Sequence, residues 1–208
     1  MSEFSCFVSA MKLQKSFYLR ENVVQVAKEV LGKTVHTCVN GYHTSAIITE
    51  VEAYSGRNDK ACHANNGVRT KRTEIMYARG GVAYVYLCYG IHHLFNIVTN
   101  GRNKADAVLV RAVQPVEGIE TMLKRRQKVA VDKSLCSGPG TLSQALGIHT
   151  REHYGLSLLS ERIWLEDAPC LKEHEIVTST RVGVDYAEED ALKPWRFYIK
   201  DNPWISRK

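Results

Sequence analysis

Residues 80–101 form a run of 22 that contains no Asp, Glu, Lys or Arg, and this run limits what the chain can fold into. Its length would be enough to cross a bilayer as a helix. It also contains four glycines, two histidines, two asparagines and a threonine, which are costly in a helix that faces lipid. We therefore expect a buried strand–turn–strand segment here, and no contact with a membrane.

The remaining patterns mix strands and helices irregularly. Segments rich in β-branched and aromatic residues predict strands at 44–53, 83–89, 94–99 and 107–113, and an extended segment at 195–204. Apolar residues at helical spacing predict helices at 23–31, 119–126 and 142–146. Because there is no regular βαβ alternation, no repeat and no linker, we expect one α+β domain over residues 1–208. A doubly wound parallel fold is the less favoured alternative, and residues 1–15 are expected to be loosely ordered.

Local signals place the ends of these helices. Asn22 followed by Gln25 is a plausible capping pair for the first helix, and Gly32 is its expected stop. The second helix is expected to follow Pro115, and Gly147 is expected to close the third.

The six cysteines exclude two classes of site. No two of them lie closer than 24 positions and no C-x-x-C pair occurs, so a zinc ribbon or a redox pair is not expected. We expect reduced thiols in a cytoplasm-like compartment, or in a nucleus if the source is eukaryotic. The start, Met1 to Phe4, has an acid where a signal peptide needs basic residues.

The excess positive charge is concentrated in the middle of the chain. The net charge is +6 overall, but residues 57–133 hold 14 basic and 6 acidic residues, whereas residues 1–56 are neutral and residues 134–208 carry −2. A single basic region suggests a face that binds a polyanion.

Two carboxylates lie two residues apart in a strand-like run. Period two places Glu50, Glu52 and Tyr54 on one face of that strand, with about 6.6 Å between the glutamate positions. The pair suits general acid/base work on a glycosidic bond, and it equally suits an exposed, salt-bridged strand face. The spacing does not decide which carboxylate works.

Basic and aromatic residues follow in the basic region. Basic side chains beside small residues can approach a phosphate backbone, or simply form a solvated loop. The phenols of the 84–89 segment can stack on bases, or can belong to a sheet surface. His92 and His93 point to opposite faces of a strand and cannot together hold a metal, so we assign no metal site.

Two polar residues lie in apolar strands. Asn96 either makes structural hydrogen bonds or reads the edge of a base. Arg111 needs a carboxylate partner, for which Glu50 and Glu52 are the candidates.

An ordered set of short motifs runs from about residue 17 to residue 204, and together they resemble the alkyladenine (3-methyladenine) DNA glycosylase family. The motifs are Glu52-Ala53-Tyr54, Ala61-Cys62-His63, Arg69-Thr70, Tyr84-Val85-Tyr86, Tyr89-Gly90, Asn96, Leu109-Val110-Arg111-Ala112, Leu135-Cys136-Ser137-Gly138-Pro139, Arg181-Val182-Gly183-Val184 and Asn202-Pro203-Trp204. The resemblance implies a compact α+β domain around a curved, mostly antiparallel sheet, with a protruding β-hairpin that inserts into the minor groove of DNA.

The resemblance also implies a mechanism. Glu52 matches the glutamate that activates a water for attack on the sugar, and Arg111 matches the arginine that helps to hold that water and the carboxylate. No lysine falls at a matched catalytic position, so the implied reaction is hydrolysis to an abasic site in base excision repair, without cofactor or strand cleavage.

The implied recognition residues form three groups. Tyr54 and Tyr86 match the aromatic residues that sandwich the flipped base. His63 matches the residue that hydrogen-bonds to the edge of that base, and Asn96 matches the residue that disfavours normal guanine. Tyr89 matches the residue that fills the gap in the duplex, with Ile91 in the neighbouring wedge position. We further expect DNA-backbone contacts from the basic loop and from the end of the second helix, namely Arg69, Lys71, Arg72, Lys124 and Arg125.

His92 and His93 add polarity next to the wedge position, and the chain departs from the family pattern further at Lys60, Cys62, Thr73 and Tyr77. These lie around His63, so the choice among 3-methyladenine, 7-methylguanine, hypoxanthine and ethenoadenine is left open. The leading hypothesis is a monomeric glycosylase acting on damaged purines in double-stranded DNA. The alternatives are a catalytically silent DNA-binding module on the same fold and a carbohydrate hydrolase that uses Glu50 and Glu52.

Overall fold

The framework of the described part of the chain is one sheet of eight strands. The computed structural model describes residues 11–207, so the predictions on Met1–Phe4 and on Cys6 lie outside the described residues. The strands are β1 (Thr34–Val39), β2 (Tyr42–Tyr54), β3 (Ala83–Cys88), β4 (His92–Thr99), β5 (Asp106–Glu117), β6 (Ile163–Glu166), β7 (Ile176–Ser179) and β8 (Arg196–Ile199). Six of them follow the order β3-β4-β5-β2-β1-β6, while β8 pairs with β2 and β7 with β8.

All pairings between these strands are antiparallel, and the chain is a single α+β domain, as predicted. The sheet is open and uncurled, so the curved sheet expected from the resemblance is not found. The two end strands are each covered by other segments instead of meeting one another. Val82, just before β3, bridges to Ser157, and Lys12 bridges to Glu166 at the edge of β6.

Between residues 11 and 207, five α-helices accompany the sheet. They are α1 (Lys15–Tyr18), α2 (Val23–Val30), α3 (Ile119–Arg126), α4 (Pro139–Leu146) and α5 (Thr150–His153). The side chain of Asn22 accepts a hydrogen bond from the Gln25 N–H at 3.1 Å, which confirms the predicted cap of α2. Helix α4 begins three residues before the predicted start, because Pro139 occupies its first turn, where a missing N–H costs nothing.

The apolar faces of these elements form a continuous core. Residues of α2 and α4 pack with strand residues, among them Val26, Val30, Ile48, Val85, Phe95, Val108, Val110, Leu142 and Leu146. The uncharged run forms β3, a turn and β4, as predicted. Among residues 11–207, no helix is long and apolar enough to cross a membrane.

The structure differs from the predicted elements in several places. Strand β5 continues through Pro115 to Glu117, because Pro115 lies at a register shift opposite Ala46, where a missing N–H disturbs the ladder least. Strands β1, β6 and β7 were not predicted, and the extended segment 195–204 is a strand only over β8. Residues 11–15 are held in place, since Leu13 is buried and donates its N–H to the Leu165 carbonyl.

Candidate functional site

The functional side chains of β2 and β5 meet at a pair of irregularities in the sheet. Ile48 pairs with Val113 and Val51 with Val110, and the register shifts on either side of Glu50 within this stretch. Such bulges re-aim side chains, and here Arg111 of β5 contacts both glutamates of β2. Both carboxylates therefore lie on one face of β2, as the period-two pattern predicted.

Glu50 is the centre of a buried ion-pair cluster. Its Oε1 lies 3.1 Å from Arg111 Nε and 3.0 Å from Arg196 Nη1, and it accepts a hydrogen bond from the Ser206 hydroxyl at 2.9 Å. The Ser206 N–H donates to Oε2 at 2.5 Å. Glu50 and Glu52 are both fully buried, so exposure does not distinguish them. Because the oxygens of Glu50 are used within the fold, this residue is suited to holding strands together.

Glu52 makes three such contacts where Glu50 makes four, and its partners lie toward a cavity. Its Oε1 accepts the Val182 N–H at 2.7 Å and lies 3.2 Å from Arg111 Nη1, while Tyr54 donates its hydroxyl to Oε2 at 2.7 Å. A carboxylate offers about four lone-pair positions, so these three contacts leave Oε2 able to accept one more hydrogen bond.

The surroundings of Arg111 and Tyr54, two partners of Glu52, shift the pKa values of both side chains. Burial disfavours the charged form of Arg111, but the charges of Glu52 and Glu50 outweigh it and raise the pKa of the guanidinium. Burial, together with the charge of Glu52, raises the pKa of Tyr54 well above its ordinary value. Tyr54 therefore remains a neutral hydroxyl donor, and Arg111 remains a cation, at neutral pH.

Next to the carboxylate lies a cavity of about 660 Å³. Its lining includes seven of the residues that the sequence singled out, namely Tyr54, His63, Arg72, Tyr86, Tyr89, Asn96 and Arg111. Glu52 is not among the lining residues, but its partners Tyr54, Arg111 and the Val182 backbone are. The carboxylate thus lies directly behind one wall of the cavity.

Aromatic rings form another wall. Tyr84 and Tyr86 stack with centroids 5.2 Å apart, and the His63 ring meets Tyr86 edge-on at 4.9 Å. His63 Nδ1 lies 3.0 Å from the Tyr84 hydroxyl. Burial and the charge of Arg72 lower the pKa of His63 to about 4, so the imidazole is neutral at pH 7. A neutral imidazole beside flat rings can accept or donate one hydrogen bond to a planar ligand.

Asn96 and Arg72 complete the lining named by the sequence. The amide of Asn96 is buried and donates to the carbonyl of Tyr84 at 3.1 Å, so its structural hydrogen bond and its place on the cavity wall coexist. The Arg72 guanidinium lies 5.7 Å from the centroid of the Tyr86 ring, at the cavity edge.

The turn between β3 and β4 presents two large apolar side chains to solvent. Cys88 pairs with His92, which leaves residues 89–91 as the connection. Tyr89 is 91% exposed and Ile91 71% exposed, with Gly90 between them at φ +74°. Tyr89 itself has φ +50°, an uncommon conformation for a residue with a side chain. The chain therefore holds two large side chains out of the core, and one of them, Tyr89, also lines the cavity.

The residues predicted to bind the DNA backbone differ in how far their side chains are used within the fold. Lys71 and Lys124 are exposed. Arg69 is partly engaged, since it pairs with Glu74 at 3.1 Å and lies 4.0 Å from the Tyr77 ring centroid. The guanidinium of Arg125 donates within the fold to Thr44 and to the Ala145 carbonyl, so this arginine serves packing between α3, α4 and β2.

Two residues outside the predicted site, Arg181 and Asp59, help to position Glu52. Arg181 forms a fully buried two-bond pair with Asp59, at 2.6 and 2.7 Å, and its guanidinium lies 4.8 Å from the Tyr54 ring centroid. This pair fixes the segment that brings the Val182 N–H to Glu52. The partners are 122 positions apart, so no local spacing could have revealed the pair.

Comparison with known proteins agrees with this geometry. A family model described as methylpurine-DNA glycosylase matches residues 16–203. Bacterial proteins named "Putative 3-methyladenine DNA glycosylase" are similar over nearly their whole length. The protein of Alkaliphilus oremlandii is 48% identical, covering 95% of this chain and 100% of its own, and that of Clostridium perfringens strain 13 is 43% identical with the same coverage. The protein of Natranaerobius thermophilus is 42% identical, covering 94% of this chain and 99% of its own.

A family match over most of the chain and full-length relatives above 40% identity show the relationship directly. An enzyme of this kind is a hydrolase of N-glycosyl bonds whose substrate is DNA, and it belongs to DNA repair. With its carboxylate, arginine and aromatic cavity assembled on an antiparallel sheet, the chain belongs to the methylpurine-DNA glycosylase family.

Proposed function

We propose that the protein is a monomeric, monofunctional glycosylase that turns an alkylated purine out of duplex DNA into the aromatic cavity and hydrolyses its bond to the sugar. The observation that carries this proposal is the position of Glu52, held by Arg111, Tyr54 and the Val182 N–H directly behind the cavity wall. Flipping is needed because the target bond of a stacked purine is out of reach of such a recessed carboxylate.

In the proposed reaction Glu52 acts as general base. The free lone pair on its Oε2 accepts a proton from a water molecule as the water oxygen bonds to the anomeric carbon of the sugar. The electron pair of the N-glycosyl bond goes to the leaving base, and a cationic alkylpurine leaves as a neutral base. Arg111 orients Glu52 through their ion pair. No further group is needed to protonate a base that already carries positive charge.

Recognition of the base rests on the rings of the cavity. The faces of Tyr54 and Tyr86 attract a cationic purine more strongly than a neutral one. The neutral imidazole of His63 reads the edge of the base, and Asn96 on the cavity wall disfavours the exocyclic amino group of normal guanine. A deaminated purine such as hypoxanthine is a secondary substrate, because it is a poorer leaving group without positive charge.

The β3–β4 hairpin supplies the wedge. Tyr89 and Ile91 are exposed although apolar, which suits insertion between base pairs where the flipped nucleotide leaves a gap. Lys71, Arg72 and Lys124, with the partly engaged Arg69, contact the phosphates on either side.

The test is release of 3-methyladenine from methylated duplex DNA in single-turnover conditions by wild type and by Glu52→Gln. The amide keeps the size of the side chain but cannot take a proton from water, so we expect a loss of roughly 10²- to 10⁴-fold in rate. Binding of the damaged duplex should be retained, and the exposed-site control Glu161→Gln should release base like the wild type. Equal release by Glu52→Gln and wild type would refute the catalytic assignment, and retained binding without release by the wild type would favour a silent binding module.

A further inference from the structure

A cluster of polar side chains lies at the end of the sheet remote from the cavity. Ser45 pairs with Glu117 of β5 and with His36 of β1, and His36 pairs with Trp164 of β6, so these residues form one row across four strands. His43, two residues from Ser45 on β2, lies on the same face. Glu52 lies nine positions after His43 in β2, which is about 30 Å along a strand.

The ring nitrogens of the two histidines face each other and are flanked by carboxylates. His36 Nδ1 lies 3.1 Å from His43 Nε2. On the outer sides, His36 Nε2 lies 3.0 Å from a Glu166 oxygen and His43 Nδ1 lies 3.4 Å from a Glu117 oxygen. The four groups therefore lie in a row, with the two imidazoles in the middle and a carboxylate at each end.

Two neutral imidazoles cannot satisfy this arrangement. They carry one N–H proton each, whereas the three contacts between electronegative atoms require three protons. His36 is only 8% exposed, and its Nε2 is buried without a well-aligned hydrogen bond, since the contact with Glu166 is close but not aligned as one. An added cation held by the two facing nitrogens removes the shortage, since His36 can then direct its single N–H to Glu166 and His43 its own to one oxygen of Glu117. The other oxygen of Glu117 is then left for the cation.

We propose that His36, His43 and Glu117 bind one divalent transition-metal ion of the zinc class, with Glu166 orienting His36. The three ligand atoms lie within 4.8 Å of one another. Tetrahedral zinc with bonds of about 2.0–2.1 Å to nitrogen places its ligand atoms about 3.3 Å apart, close to the separation of the two nitrogens.

The surroundings of the cluster match those of a metal site. A histidine that binds metal through one nitrogen usually donates its other N–H to a carboxylate, and Glu166 is placed to receive it from His36. The Trp164 ring stacks on His36 with centroids 4.9 Å apart and an angle of 5°, which fixes the ring plane. His43 and Glu117 are exposed, so a metal ion can enter from solvent and keep a water as fourth ligand. Because the ligands come from β1, β2 and β5, the ion would clamp three strands.

The test is calorimetric titration of the untagged protein with ZnCl₂. We expect one ion per chain and a rise in Tm with added zinc. His43→Ala, which changes an exposed side chain, should remove this binding, and Glu166→Gln should weaken it roughly 10- to 100-fold. His174→Ala, at an exposed histidine on another part of the surface, is the matched control and should bind zinc like the wild type.

A second readout separates this site from other histidines of the chain. Ni²⁺ at the cluster should quench the fluorescence of Trp164, and the quenching should disappear in His43→Ala and in Trp164→Phe. Base release by His43→Ala should equal that of the wild type, since the cluster is remote from Glu52. Absence of zinc binding would overturn the proposal and leave the pair holding a proton only. Zinc binding that persists in His43→Ala would assign the metal to other residues and would also overturn it.

Discussion

Glu50 and Glu52 are chemically identical and lie two residues apart on one face of β2, yet their surroundings differ. Glu50 is enclosed by Arg111, Arg196 and Ser206, which occupy its oxygens. Glu52 shares Arg111 but keeps a lone pair on the side of the cavity. Spacing predicted the shared face but not the working carboxylate, because the partners that distinguish them come from residues 182, 196 and 206, far along the chain.

Replacing Glu50 should damage stability more than chemistry. Glu50→Gln removes the charge between two buried arginines, and losing one partner of a buried pair typically costs about 3–5 kcal/mol. We expect urea unfolding to show a loss of this order, while base release per folded molecule stays within about tenfold of wild type. Glu52→Gln is the comparison and should show the opposite pattern, since Arg111 retains Glu50. A Glu50→Gln protein that is stable but inactive would mean that the working carboxylate is Glu50.

His63 should make the fold sensitive to acid. Its pKa is about 4 in the folded protein, because of burial and Arg72, and about 6.5 in an unfolded chain. The unfolded state therefore binds more protons between these values, so stability falls as the pH drops from 6.5 to 4. When the pH is lowered from 7.5 to 5, the unfolding free energy of the wild type should fall by about 1–2 kcal/mol more than that of His63→Gln. Exposed His174→Gln should behave like the wild type, and identical losses in all three proteins would contradict the prediction.

At the scale of elements, the uncharged run was the most informative part of the sequence. Its alternation and central glycine predicted β3, a turn and β4, and the structure has them. Strand β5 was predicted too short, because Pro115 normally ends a strand and only the register shift opposite Ala46 accommodates it. Strands β1, β6 and β7 were missed because they are four to six residues long and their identity depends on the partners they pair with.

The hairpin tip should matter for DNA and not for the fold. Tyr89 is almost fully exposed, so Tyr89→Ala should change the unfolding free energy by no more than about 0.5 kcal/mol. If the ring fills the gap left by a flipped base, its loss should weaken binding to a damaged duplex by roughly 1–3 kcal/mol of stacking energy.

The matched control is Tyr42→Ala. Tyr42 is 61% exposed and begins β2 just after the Asn40–Gly41 turn of the other hairpin. Binding to duplexes with and without a lesion, measured by fluorescence anisotropy, should separate the two variants. Equal effects of Tyr42→Ala and Tyr89→Ala would remove the wedge role from Tyr89.

At the scale of the whole molecule, the sequence predicted where the basic residues are concentrated. It did not predict which of their side chains are exposed and which are used in packing. Residues 57–133 carry the net excess, and they include most of the lining of the cavity, the hairpin and α3. Sequence alone could not separate a free cation from one used in packing. Arg125 and Lys124 are neighbours in α3, but the Arg125 guanidinium lies against Thr44 and Ala145, while Lys124 is exposed. The Lys124/Arg125 double substitution that the sequence suggests would therefore confuse packing with DNA binding.

DNA binding by the basic face is tested by replacing two exposed lysines in one variant, Lys71→Ala with Lys124→Ala. If each contacts one phosphate, the slope of log K against log salt for binding to duplex DNA should become shallower by about 1.8, because each contact contributes about 0.9. Base release at saturating enzyme should be unchanged, since neither lysine touches the cavity. The control, Lys172→Ala with Lys200→Ala, removes two exposed lysines from the acidic last third and should leave the slope as in the wild type. A slope that is unchanged in the Lys71/Lys124 variant would place the phosphate-binding surface elsewhere on the molecule.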